Sequence, residues 1–179
     1  FGLGSLLGFL AATMGGWVDQ VLSRFVDVVI SIPTLIFALI VLSSTGTSIF
    51  ALVTVIAIIY AMPVYRIARA VAMDIEVMDY VEAARLRGEG LWWIMRKEIL
   101  PNALTPLAAE FGLRFCFVFL LISGLSFLGL GLQPPLADWG AMVRDNGGGI
   151  AWGFMHPLVP ATCIALLTIG INLIVDSVV

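Results

Sequence analysis

Apolar positions run along this chain in stretches long enough to cross a lipid bilayer. Three of them contain no Asp, Glu, Lys or Arg: 46–65, 115–137 and 146–175. A spanning helix needs about 20 mostly apolar residues, so each stretch predicts a crossing. Over the whole chain the pattern predicts five helices. The first covers 1–16 and is rich in small residues (Gly2, Gly4, Ser5, Gly8, Ala11, Ala12), which let helix backbones approach closely in lipid. The second runs over about 21–43, with Asp27 near its start and Pro33 as a kink. Thr45-Gly46-Thr47-Ser48 reads as a turn. The third covers about 49–70 with Pro63 near its lower end, the fourth starts after Pro101 and reaches about Ser123, and the fifth covers about 157–179.

Composition removes the soluble alternative. The chain is 61% hydrophobic and only 12% charged over 179 residues, against roughly a quarter charged in soluble domains. The expected fold is all-α, a polytopic transmembrane helical bundle of about five spans. Both ends fall inside apolar runs, so 1–179 reads as one transmembrane domain trimmed at each end. No basic n-region precedes the first apolar run, so it is not read as a signal peptide. Cys116 and Cys163 lie in apolar stretches and read as small hydrophobes.

Charge then sets orientation. Six of the nine Lys and Arg residues lie between Arg66 and Lys97, and 66–98 holds six basic and six acidic residues. Basic loops stay on the cytoplasmic side, which places this segment inside. Residues 17–20 follow it to the cytoplasmic side. The turn near Gly46 and the connection 124–156 fall outside, where Arg144 is the one fixed positive charge.

The charged loop, 74–100, has an internal design. Val81-Glu82-Ala83-Ala84-Arg85-Leu86 favours helix. Gly88 and Gly90 interrupt it where a left-handed residue is accommodated. Leu91-Trp92-Trp93-Ile94-Met95 resumes an apolar face, and Pro101 can start the next helix. The expected product is a short helix, a sharp turn and a second short helix. Ala83 and Ala84 would leave a small smooth surface able to enter a groove, with Glu82 as a charge at its edge. The same residues also fit an amphipathic loop lying on headgroups, anchored by Trp92 and Trp93. Physical chemistry alone does not choose between the two.

Glu82-Ala83-Ala84-x-x-x-Gly88 followed by Leu100-Pro101 resembles the EAA loop of ABC importer permeases. Other segments resemble the dipeptide/oligopeptide/nickel group of those permeases in particular. They are Trp17-Val18-Asp19 with Arg24-Phe25-Val26-Asp27, Ser31-Ile32-Pro33, Leu100-Pro101-Asn102-Ala103-Leu104, and Leu125-Ser126-Phe127-Leu128-Gly129-Leu130-Gly131-Leu132-Gln133-Pro134-Pro135 with Trp139-Gly140. These motifs occur in the family's order over nearly the whole chain. Departures from the pattern are Glu98 at a position usually apolar, Ile122-Ser123-Gly124 before the outer signature, and the charges Glu110 and Arg114 in the fourth helix.

The resemblance implies a type I importer fold and half of a translocation path in a bacterial or archaeal inner membrane. The implied cargo is peptide; nickel, glutathione, opines and oligosaccharides use similar permeases. The implied partners are a homologous permease subunit in a heterodimer, two cytoplasmic ABC ATPase subunits and an extracytoplasmic solute-binding protein, with lipid around and no nucleic acid. The segment with Glu82, Ala83, Ala84, Arg85 and Gly88 would be the ATPase-coupling helix and its turn. No G-x-x-x-x-G-K-[ST] phosphate loop occurs here, so ATP hydrolysis is assigned to the partner; the chain is read as non-enzymatic, without cofactor or metal.

Glu110 and Arg114, four residues apart, share a helix face and can pair. They read either as a polar patch on the cargo route or as a structural ion pair, since charges at membrane depth face the bundle interior or water. His156, before Pro157, reads as interfacial packing over a metal ligand. Gly147-Gly148-Gly149 reads as a flexible turn with no basic partner for a phosphate. The outer connection 124–156 is expected to help cap the outer gate and meet the binding protein. An ion-gradient carrier would more often carry internal repeats with broken helices and midplane carboxylates; none is convincing here.

Overall fold

The computed structural model describes residues 1–178, and the regular structure in them is helical. In chain order the elements are α1 (Gly2–Met14), α2 (Gly16–Ile30), α3 (Thr34–Thr45), α4 (Ile49–Glu76), α5 (Asp79–Leu86), α6 (Leu91–Ile94), a π-turn (Met95–Ile99), α7 (Leu100–Phe127), α8 (Trp139–Asn146), a 3-10 turn (Gly147–Trp152) and α9 (Leu158–Val178). Two compact units emerge: Phe1–Ile32 with Ile58–Phe111, and Pro33–Ala57 with Gly112–Val178.

The first unit is built on α1 lying against α4. A Cβ on Gly4 would sit 2.4 Å from the Ala61 carbonyl oxygen, and one on Gly8 would sit 2.7 Å from that of Tyr65. The two backbones therefore touch along a Gly-x-x-x-Gly face, as the small residues of the first helix predict. Below this contact a core joins α1, α4, α5, α6 and α7 through buried residues including Phe9, Ala72, Val81, Ala84, Ile99 and Leu107.

In the second unit, α9 packs against α7 at Gly112, where a Cβ would fall 1.9 Å from Val175 Cγ2. The Cys116 thiol donates to the Thr168 carbonyl at 3.7 Å, in keeping with a small buried side chain in an apolar helix. The short helix α8 is capped by Asp138, whose carboxylate accepts from the Ala141 N–H. Trp139 meets Phe119 edge-on, with ring centroids 6.1 Å apart. A Cβ on Gly140 would lie 2.1 Å from the backbone oxygen of Ser123, and backbone cannot yield as a flexible side chain can. Gly140→Ala is therefore expected to lift α8 off α7, an overpacking of about 1–3 kcal/mol, and to speed limited proteolysis after Arg144. Gly148→Ala, with nothing within 4 Å of its Cβ, should leave that rate unchanged.

Three features differ from the sequence expectation. The second helix is broken, not kinked: α2 stops at Ile30 and α3 starts at Thr34, because Pro33 offers no N–H and disfavours helical geometry in Ile32. The third runs on to Glu76, beyond the expected end near Ala70, so Asp74 and Glu76 at the start of the charged loop are helical residues. The fourth does not start at Pro101. Leu91 to Phe127 is one continuous helical run of 37 residues. Its π-turn lies just before Pro101, where the ladder must make room for a ring without an N–H.

Among the described residues three helices are long and apolar enough to cross a bilayer, and a fourth crossing is counted if α2 and α3 form one broken span. The first of the five expected crossings is not among them. At 13 residues, and about 1.5 Å of rise per residue, α1 is shorter than a span. The last expected helix reached Val179, which lies outside the described residues.

Candidate functional site

The candidate site is the charged turn around α5. This helix starts after Met78 without a side-chain cap, but Asp79 and Glu82 occupy its first turn and Arg85 its last. That charge order complements the helix dipole. Its two faces differ sharply. Val81 and Ala84, three residues apart, are fully buried against α4, α6 and α7, while Glu82, Ala83 and Leu86 are exposed. Ala84 thus departs from the expectation that it presents a smooth outer surface. The three-residue spacing puts it with Val81 on the inner face, in one cluster with Ala72 and Ile75 of α4. The outward surface is Glu82 and Ala83.

Arg85 folds back onto its own chain. Its guanidinium pairs with Glu76 at the end of α4. The helix then closes in a Schellman motif. The Gly88 N–H donates to Arg85 O at 2.9 Å and the Glu89 N–H to Ala84 O at 3.2 Å. Gly88 sits at φ +84° with open space around any added Cβ, so the demand at this position is conformational, not steric. Beyond the turn, Arg87 lies 5.9 Å from the Trp93 ring centroid and 3.9 Å from Glu98 Oε1. Glu98, out of pattern for the EAA loop, is thereby a partner of the turn's own arginine. The two tryptophans divide: Trp93 packs on the core and Trp92 faces out.

Glu110 and Arg114 both lie on α7. Glu110 is only 6% exposed. Arg114 is half-buried, with its guanidinium 5.6 Å from the centroid of the Phe117 ring. His156 leans on Phe154 at 5.6 Å, an exposed aromatic contact.

Sequence reasoning missed one polar cluster. Asp19 of α2 accepts from both the Nε and a terminal nitrogen of Arg69 on α4. Beside it the hydroxyls of Ser23 and Tyr65 share a 3.0 Å hydrogen bond. Arg69 and Tyr65 stand four residues apart on one face of α4, and Asp19 and Ser23 four apart on α2. That double spacing was legible, but fifty residues separate the partners.

Residues 4–179 match the model of the binding-protein-dependent transport system inner membrane component. The chain belongs to that family. It is 34% identical over 177 residues to the probable D,D-dipeptide transport system permease protein DdpC of Escherichia coli K12, covering 98% of this chain and 59% of that protein. The di/tripeptide transport system permease protein DppC of Pseudomonas aeruginosa is 34% identical over 175 residues, covering 97% and 57%. The glutathione transport system permease protein GsiD of Pectobacterium atrosepticum is 30% identical over 176 residues, covering 98% and 58%. The chain thus spans under three fifths of the length of these relatives. The likeness to the dipeptide/oligopeptide permease group seen in the motifs stands, and with it an all-α, multi-pass membrane protein that is a transport component.

Proposed function

We propose that the full-length protein is the permease subunit of an ATP-driven peptide importer and that α5 is its contact with a cytoplasmic ATPase. The observation that carries this reading is the two-sided construction of α5. One face is anchored in the subunit's own core by Val81 and Ala84, and the other offers Glu82 and Ala83 to water. A loop that only rests on headgroups has no use for a buried anchor and a clamped arginine. The names of the relatives, dipeptide, di/tripeptide and glutathione permeases, favour short peptides as cargo. A homologous permease would complete the path, two ATPases would hydrolyse the nucleotide, and a solute-binding protein would deliver cargo from outside.

In this reading the chain's own work is mechanical. Closure of the ATPases moves Glu82 and Ala83. The buried face of α5 carries that movement into α4, and the bundle reorients between its inward and outward states. Reconstitution of the full-length permeases with their ATPases and binding protein tests this. Labelled dipeptide should enter proteoliposomes only while ATP is hydrolysed. Uptake driven by an ion gradient, with no ATPase present, would overturn the proposal.

Glu110 and Arg114 we assign to structure. A group lining a path between two subunits would be open on the isolated subunit, and Glu110 is closed off. Replacing both with Gln should reduce the amount of assembled complex while leaving uptake per assembled complex near the parent value. Lost uptake with intact assembly would return the pair to the cargo route.

A further inference from the structure

The polar cluster between α2 and α4 has no role in the function proposed so far, and its placement supplies one. Asp19 and Arg69 make a two-point fork, with side chains 18% and 27% exposed. Such a fork fixes orientation as well as distance. One turn along α4, the hydroxyl of Tyr65 meets Ser23, and Tyr65 is itself packed with Ala11 and Val26. The two helices are therefore pinned at successive turns.

The same helix carries the attachment of α5. Seven residues beyond Arg69, Glu76 holds Arg85. Between them Ala72 and Ile75 pack in one cluster with Val81 and Ala84. Arg69 to Glu76 is uninterrupted helix, a stiff rod with α5 fastened at one end and α2 at the other. We infer that Asp19 and Arg69 are positioning residues that make α2 travel with the coupling helix, so that displacement of α5 reaches the broken α2–α3 segment instead of dissipating in α4. This rests on the reading of α5 as the ATPase contact.

The experiment uses the full-length permease in its assembled importer in proteoliposomes, measuring dipeptide uptake and ATP hydrolysis together. Arg69→Lys keeps the charge but not the fork. It is expected to hydrolyse ATP and to move about fivefold or more less peptide per ATP, the scale of a lost coupling between sites. An unchanged ratio overturns the inference. Gly88→Val, measured in parallel, separates the two levels. If it lowers the ratio and Arg69→Lys does not, the α2 link alone falls; if neither does, the reading of α5 falls too. Should Arg69→Lys fail to assemble, spin labels on cysteines placed at the exposed positions Gln20 and Met73, with Cys116 and Cys163 replaced by Ala, read the same link with the fork intact. Their separation is expected to be identical in nucleotide-free and ATP-trapped complexes. A shift between those states contradicts the inference.

Discussion

Gly88→Val is expected to leave the complex in the membrane, hydrolysing ATP, while peptide uptake collapses. The turn after α5 requires φ +84°, and a left-handed residue costs an L-amino acid about 1–2 kcal/mol, with β-branched Val at the unfavourable end. Nothing lies within 4 Å of the new Cβ, so no packing is lost and the fold has no reason to fail. What changes is where α5 points, because the two hydrogen bonds that close it depend on that conformation. Glu82→Lys should give the same phenotype by another route. It reverses a charge in the first turn, where the helix dipole favours an anion by about 0.3–1 kcal/mol, and it changes the outward face directly. Gly90→Ala is the control: its φ of −76° suits any residue, and its surroundings are open. Uptake and hydrolysis measured on the same preparation decide the matter, and a parent-like ratio in both variants refutes coupling through this turn.

Gly8→Ile is expected to prevent folding of the first unit. A Cβ there would meet Tyr65 O at 2.7 Å, Arg69 N at 2.8 Å and Ala68 Cβ at 2.9 Å. Two of the three are backbone atoms of a helix and cannot step aside. The helices must separate, which exposes Phe9 and Ala12 on α1 with Ala68 and Ala72 on α4. Association in lipid depends on such close packing, so no compensating contact is available at the larger spacing. The yield of folded protein in mild detergent should fall to a small fraction of the parent. Gly2→Ala, with nothing within 4 Å, should match it.

Much of this site is written in local sequence. The small-residue face of α1 and the left-handed glycine after α5 are short-range signals, since each depends on neighbours within a turn. Ala84 shows where that stops. Six residues of good helix formers do not say which face is covered, although Val81 and Ala84 at three-residue spacing carried the hint. Pro33 and Pro101 mark the same limit from the backbone side. Both remove an N–H, yet one ends a helix and the other sits inside a continuous run, because neighbouring packing decides whether the ladder can be rearranged. The Asp19–Arg69 fork was beyond reach for a different reason. Its partners are fifty residues apart, and only the contact of α2 with α4 brings them together.

The most direct test is crosslinking from α5 in the assembled, full-length importer, with single cysteines at positions 83 and 84. Ala83→Cys, on the exposed face, is expected to join the ATPase subunit, and Ala84→Cys, facing the permease's own core, is not. A crosslink from 84 but not 83, or from neither in an intact complex, would contradict a coupling helix seated as described.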